Sequence, residues 1–583
     1  MGAARTERAS LDMRAATCLL RGAVSIRQSF RSCPAARSVQ RSRRPSVRTA
    51  WTSASSSSAP DVSDGHTSSN KSPASDKSVM FVSFLWPEAS SSAAGVRTGS
   101  LLRAFQSWGW RVHFVACAKP NRHAESLSAS GVVTHHVPPN RGAEFEAALA
   151  AANPDAVVFD RFMAEEAFSF RVRAACPKAA RILDMQDLHS LRYARQSAVE
   201  TGIKAQTAAR KAAKKIKRRG VKNDPGDDGD HVDLVEAAMA AVPAAGDDKL
   251  NRELASVHRC DLTMVCSPTE TRLMRDTFGI PARKMVPASF FCDVPEVNTN
   301  ESTTPGFEPR IGFTTIGTFH HPPNVDSAGW LAHEVWPLIR KQLPTATMRV
   351  YGSYPTPAIH ALHSPKDGFL IEGFAPTVEG AMDDARVLLA PLRFGAGIKG
   401  KIVDAWMRGL PVVTTPVGAE GMVPGLDTLW SPGESAEGTE GVSYEQIDWG
   451  GAWTSTSAAD VARDAIRLHE NEEAWSRARS NGFELVGTLF PAERNLGVVR
   501  DAIEGLYEAS EVEGCETALD ELRSLDFTGA ALWHHSARST EYFSRWIEMK
   551  ETGGESGRPR RSRRRKKRRR KCDSRFDSFR PAL

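Results

Sequence analysis

The sequence is poor in the features that would send it to a membrane, a zinc site or a disulfide scaffold. No stretch approaches the ~18 uninterrupted apolar residues that a spanning helix needs, and the most apolar early segment, residues 15–26, is broken by Arg21. The nine cysteines (Cys18, Cys33, Cys117, Cys176, Cys260, Cys266, Cys292, Cys515 and Cys572) are scattered, odd in number and free of any CxxC pair or Cys/His cluster. That pattern speaks against structural zinc and for a reducing compartment. Lysine is missing from residues 1–50, which hold eleven arginines and two acids, Glu7 and Asp12.

What is present is concentrated at the ends. Residues 51–78 carry eleven serines, and Arg558 to Lys571 places twelve basic residues in fourteen. The formal net charge of +7 therefore belongs to the termini; the body between them is acidic and makes no case for a nucleic-acid-binding core. An Arg-rich, acid-poor start followed by a Ser-rich spacer has the composition of a mitochondrial or plastid transit peptide. Residues 1–78 are therefore set apart from the fold, with an organellar destination expected and a cytoplasmic one as the alternative. The basic tail, 551–583, reads as a disordered extension able to contact polyanions.

Between these ends the chain alternates short apolar runs with helical segments. Val79–Leu85, Arg111–Cys117, Ala156–Phe159, Arg181–Asp184 and Leu262–Cys266 read as buried strands of a first α/β domain, 79–290. A low-complexity insertion over 201–248 begins basic (nine Lys or Arg from Lys204 to Lys222) and turns acidic, and it reads as a solvated surface excursion. Its Asp228-Gly229-Asp230 triplet has the form of a metal-binding DxD but lies in acid-rich low complexity. After a linker, 291–309, a second βα series spans 310–490, with strands expected at Arg310–Ile316, Thr347–Tyr351, Phe369–Ile371, Val387–Ala390 and Pro411–Thr415, and helices at Asp326–Gln342 and Lys399–Arg408. Helices follow over 491–550. Two doubly wound, parallel α/β domains in succession predict a cleft at the carboxyl ends of both sheets.

The densest chemistry lies in PLRFGAGIKGKIVDAWMRGLPVVTTPVGAEGM, Pro391 to Met422. Gly395, Gly397 and Gly400 let a bulky anion approach the backbone, a helix N-terminus offers N–H groups, and Lys399 and Lys401 add positive charge. That is a way to hold a diphosphate. Other strand-end loops repeat the pattern on a smaller scale: Gly317 with His320, His321 and Asn324, then Gly373 with Phe374, and Arg393, which reads equally as a phosphate contact or as the partner of a carboxylate. On the first-domain side the strand-end residues are Gly95 and Arg97, Asp160 and Arg161, and Asp187 and His189; Asp160 with Arg161 reads equally as a buried structural pair.

The run RVLLAPLRFGAGIKGKIVDAWMRGLPVVTTPVGAEGM, together with IGTFHHPPNVDSAGWLAHEVWPLI upstream, resembles the GT-B glycosyltransferases of the family 4 or group 1 type. A longer resemblance, to a mostly bacterial set of family 4-like transferases, is carried by Trp86–Leu102, Phe159–Val172, Ile182–Gln196 and Leu532–Glu548. It implies a GT-B fold with two Rossmann-like domains facing across a cleft and a C-terminal helical segment. The implied activity moves a sugar from a nucleotide-sugar donor to a carbohydrate, lipid or other acceptor, with retention and without a metal or other cofactor. It assigns Lys399 and Lys401 to the departing diphosphate, and Gly317, Asn324, Gly373, Phe374, Arg393, Gly395, Gly397 and Asp404 to the donor. The acceptor side falls to Gly95, Arg97, Asp160, Asp187 and His189. In one respect the chain departs from the family: of its acidic E-x7-E pair, the second position is Asp404 and the first is Ala396. A catalytically silent GT-B binding module and a GT-B epimerase or phosphorylase remain as alternatives.

Overall fold

Six consecutive buried residues, SVMFVS, form β1 (Ser78–Ser83). A strand with no polar alternation must be covered on both faces, and here it is an interior strand of a parallel sheet. The computed structural model describes residues 77–218, 233–293, 304–424 and 449–553. The transit-like segment up to residue 76, the Asp228-Gly229-Asp230 triplet, residues 294–303 of the linker and the basic run from Arg558 lie outside the described residues.

The first sheet joins β1 to β2 (Arg111–Ala116), β3 (Val133–His136), β4 (Ala156–Asp160), β5 (Ala180–Asp184), β6 (Leu262–Val265) and β7 (Met285–Pro287), in the order β3-β2-β1-β4-β5-β6-β7. The second holds β8 (Phe313–Ile316), β9 (Met348–Tyr351), β10 (Phe369–Gly373), β11 (Val387–Ala390), β12 (Val412–Thr414) and β13 (Gly451–Ala452), in the order β10-β9-β8-β11-β12-β13. All pairs in both sheets are parallel. Each sheet is wound outward from its first strand, so each reverses direction once: between β1 and β4, and between β8 and β11. This is the expected GT-B architecture, with helices after residue 490.

Several boundaries differ from the sequence reading for identifiable reasons. β8 begins at Phe313 because Gly312 turns through φ 62° and the buried Arg310 spends its guanidinium on the carbonyls of Pro305, Met382, Ala385 and Arg408. β12 ends at Thr414 because the Thr415 side chain caps the helix Pro416–Ala419. The helix after β1 starts at Ala93, where the Ser92 hydroxyl accepts the Gly95 N–H at 3.1 Å. The helix expected over 326–342 is two, Pro322–Trp330 and Trp336–Gln342, joined by a π turn at Leu331–Val335 just before Pro337, which has no N–H to continue the ladder. β3, β7 and β13 were not marked by apolar runs: β3 is the half-exposed edge sequence VTHH, and β7 and β13 are two or three residues long.

The insertion is not wholly solvated. The helix His189–Arg218 runs into it, and Val199, Val235 and Ala238 pack against Leu392, Phe394 and Val417 of the second domain. At the far end, the chain returns to the first domain. Val499, Ile503, Leu506 and Leu519 join the core under β1 and β2. Tyr507 donates to the Asp155 carbonyl at 2.7 Å, and Arg523 grips Asp261 at 2.7 and 2.9 Å. The outgoing and returning crossings run side by side, Cys292 N–H to Phe490 carbonyl at 2.8 Å and Ala492 N–H to Cys292 carbonyl at 2.9 Å.

Candidate functional site

In an open parallel sheet the loops on either side of the strand reversal diverge and leave a crevice at the strand carboxyl ends. In the second domain these are the loop after β8, with Gly317 to His321, and the loop after β11, with Arg393 to Lys399. In the first they are the loop after β1 and the β4 end at Asp160. The two crevices face each other, and side chains bridge them.

On the first-domain side, Asp160 ties three strand ends together. Its carboxylate accepts from Ser83 Oγ at 2.6 Å, from Gln186 Nε2 at 2.8 Å and from Arg161 Nε and Nη2, each at 3.1 Å. Arg161 and Gln186 adopt φ of 67° and 61°, a left-handed conformation uncommon for side chains of their size and found where a site over-determines the backbone. Arg97, expected to reach an acceptor, has another role. Buried to 3% exposure, it holds Asp184 Oδ1 at 3.0 and 3.2 Å and the Ser289 carbonyl at 2.6 Å. Its guanidinium is fully engaged inside the domain. Gly95 likewise leaves no room for a ligand, since a Cβ there would strike the Glu88 backbone; its smallness lets the preceding loop fold against the helix start.

Asp187 does face the second domain. Burial alone would raise its carboxyl, but Arg192 at 3.1 Å and His189 at 3.2 Å more than reverse this and hold it well below the usual carboxylate range. Arg192 also meets His321 at 2.8 Å, and burial followed by that guanidinium pushes His321 down to about 3. His321 is therefore a neutral acceptor at physiological pH. The adjacent His320 points elsewhere and stacks on Tyr354, centroids 4.3 Å apart.

The glycine turn is held by the opposite domain. Glu270 Oε1 accepts the Gly397 N–H at 2.9 Å and the Leu188 N–H at 3.0 Å, bridging the two domains. Arg195 donates to the Gly395 carbonyl at 2.9 Å and forms a buried bidentate pair with Glu420 at 2.6 and 2.7 Å. Gly397 turns through φ 67°, and a Cβ there would lie 2.9 Å from the Asp187 Cβ; glycine is required on both counts. Lys399 curls back to the Gly397 carbonyl at 2.6 Å, beside Glu420 and Glu270, and burial lowers its ammonium despite those acids. Burial, with Asp187 and Glu420 adding to it, pushes Glu270 up to about 8, and its second oxygen is buried without a partner. The structure thus brings Asp187, Gly395, Gly397 and Lys399 into one knot.

Lys401 belongs to a second group. It lies in the first turn of the helix Gly400–Met407, which has no side-chain cap, and donates to Asn324 Oδ1 at 2.7 Å. Asn324 in turn donates to the Thr318 carbonyl at 2.9 Å and packs over Gly317, where a Cβ would meet its side chain at 2.6 Å. Lys401, Asn324 and Gly317 line a small pocket at the ends of β8 and β9 with Thr315 and Tyr351. Burial lowers the Lys401 ammonium to about 8. One turn on, Asp404 shares the helix face, and burial, then Glu379, raises its carboxyl to about 7. Gly373 (φ 79°) has open space over its Cα, and Phe374 beside it is 45% exposed at the rim. Arg393 does not face open space: it pairs with Asp326 at 2.5 and 2.9 Å over the Trp330 ring. A carboxylate, rather than a phosphate, takes that guanidinium.

Residues that sequence reasoning passed over include Gln186, Arg192, Arg195, Glu270 and Glu420. Glu420 lies inside the quoted PVGAEGM run and Arg195 inside ILDMQDLHSLRYARQ, so the signal was a charged residue in an otherwise apolar or strand-end motif. Glu270 left no such trace. Among the described residues no three His, Cys, Asp or Glu side chains are grouped to hold a metal ion.

Residues 310–442, the second domain through its glycine turn, match the family described as Glycosyl transferases group 1. The match covers the second domain alone, and the pair of parallel doubly wound sheets gives the described chain the GT-B fold. Among solved structures it is similar to a TarM variant of S. aureus in complex with fondaparinux, alpha-GlcNAc-glycerol and UDP, with 9% identity and TM-score 0.51, covering 74% of this chain and 100% of that one. It is also similar to HepE of Anabaena in complex with UDP and glucose (11% identity, TM-score 0.47, 74% and 100% covered). A third is the sucrose-phosphate synthase of Thermosynechococcus elongatus (12% identity, TM-score 0.49, 75% and 100% covered). At such identities the likeness is one of fold. No curated protein matches the sequence significantly.

Proposed function

We propose that the chain is a glycosyltransferase that moves a sugar from a nucleotide-sugar donor to an acceptor hydroxyl. One observation carries the reading: at the strand reversal of the matched domain, an uncapped helix N-terminus follows a glycine turn and presents Lys401 in a pocket with Asn324. In the reaction, the bond between the anomeric carbon and the diphosphate oxygen breaks, the acceptor oxygen bonds to that carbon, and the acceptor hydroxyl's proton passes to the departing diphosphate. Negative charge collects on the diphosphate, where Lys401 and the helix N-terminus offset it in a low-dielectric site. Lys399, turned into its own loop, preserves the shape of the turn. Asp404 is the proposed ribose partner, with Gly373 and Phe374 at the nucleobase. On the acceptor side, the cleft-facing groups are Asp187 and His189, the Asp160 carboxylate being spent on Ser83, Arg161 and Gln186.

Retention and independence of a metal or other cofactor are part of the proposal, since basic groups here supply the charge that a cation would otherwise bring. An organellar site of action is proposed from the composition of residues 1–78. UDP-sugars come first in a donor screen because the TarM structure holds UDP. Thermal-shift measurements against UDP-, GDP- and ADP-sugars, with mass-spectrometric detection of products in the presence of EDTA, test the reading. Stabilisation by one nucleotide class with a product one sugar heavier is expected; no response to any of them sinks it.

A further inference from the structure

The last helix of the described chain, Arg538–Gly553, presents two unlike faces. Glu548 points inward, where it accepts the Gly142 N–H at 3.1 Å and pairs with the buried Arg171, so the helix is fixed to the first domain. The other face carries Tyr542, Phe543, Trp546 and Met549, exposed to 68%, 63%, 48% and 62%. With Lys550 these occupy positions i, i+1, i+4, i+7 and i+8, one stripe of a helix. Phe543 and Trp546 stack with centroids 6.0 Å apart, and the Lys550 ammonium lies 4.6 Å from the Trp546 ring centre. Four large apolar side chains on a single exposed face are unusual for a protein surface in water.

What would cover that face is indicated by the sequence that follows. The run of twelve basic residues begins at Arg558, five residues beyond Gly553, so in the sequence dense positive charge follows the aromatic stripe directly. Aromatic side chains settle at the boundary between headgroups and acyl chains, while clustered Lys and Arg are drawn to anionic headgroups; the two signals together give stable attachment where either alone is marginal. No helix among the described residues is long and apolar enough to cross a membrane. We infer that the Tyr542–Lys550 face is a docking surface for a bilayer bearing anionic lipids, with the helix lying in the interface plane.

The test is co-sedimentation of the full chain with phosphatidylcholine vesicles, with and without phosphatidylserine, over a salt series. Binding to the mixed vesicles that weakens with salt, and little binding to phosphatidylcholine alone, is expected. The double variant Phe543→Ser/Trp546→Ser changes two exposed side chains and should keep its unfolding temperature while losing about tenfold in vesicle affinity. Undiminished binding by that variant overturns the proposal, because the basic run would then act alone. So does a parent chain that ignores anionic vesicles, or one that duplex RNA strips from them by binding more tightly.

Discussion

The two domains share a strand order and use the place where it reverses in opposite ways. In the first, the strand ends are closed with ion pairs: Arg97 on Asp184 and Arg161 on Asp160, with every partner supplied by the same domain. In the second, one such pair, Arg393 on Asp326, braces the reversal, but the loops beyond it keep glycine and backbone groups, and Lys401, which lines a pocket, is held by a neutral amide. Charge that is already neutralised builds a scaffold; charge held near a neutral partner stays available for a ligand. The same residue types therefore do different work in the two halves.

This contrast can be broken by exchanging the losses. Arg97→Ala leaves Asp184 buried without its guanidinium, so stability should fall by roughly 3–5 kcal/mol, read as the denaturant midpoint. Lys401→Ala should do the reverse: kcat/KM falls about 100-fold or more, near 3 kcal/mol, while the midpoint holds. If Arg97→Ala folds as well as the parent, or if the Lys401→Ala/Lys399→Ala double variant turns over undiminished, the division between scaffold and site is wrong. Gly397→Ala tests the turn between them; a side chain forced to φ 67° costs about 1–2 kcal/mol and presses on Asp187, which should appear mainly as weaker donor binding by calorimetry.

Smaller effects follow from protonation. Lys401 must be charged to meet a diphosphate, so kcat/KM should decline as pH rises through about 8, and Lys401→Arg should move that limb upward. Asp404 accepts hydrogen bonds best when ionised, so activity should also decline as pH falls through about 7, a limb that Asp404→Asn should abolish. For Glu270 the consequence is stability. Its folded carboxyl holds a proton up to about 8 while the unfolded one loses it near 4.5, so the folded state binds the extra proton and stability falls as pH rises across that window. Glu270→Gln, which keeps an acceptor for the Gly397 and Leu188 N–H groups, should flatten the dependence of unfolding temperature on pH between 5 and 8.

Most of the architecture was legible because parallel strands buried on both faces write themselves as unbroken apolar runs; β1 and β11 are plain in SVMFVS and VLLA. β3 and β13 were not, being an edge strand of histidines and a two-residue strand, where neighbours rather than composition decide the pairing. In the candidate site, the glycine turn and both lysines could be read from local spacing. What could not be read is which carboxylate takes which cation. Arg393 meets Asp326 across 67 residues and Arg195 meets Glu420 across 225, and no local pattern encodes such partners. Glu270 was hidden most completely, since its role depends on two backbone N–H groups from separate domains.

The returning C-terminal segment has a consequence for how the chain is made. Asp261 waits 262 residues for Arg523, and Gly142 waits 406 for Glu548. At ~5–20 residues per second of synthesis, the first of these intervals lasts roughly 13–50 s. Throughout it the apolar surface that Val499, Ile503, Leu506 and Leu519 will cover stands open on the growing chain. The domain that leaves the ribosome first is thus the last to be finished.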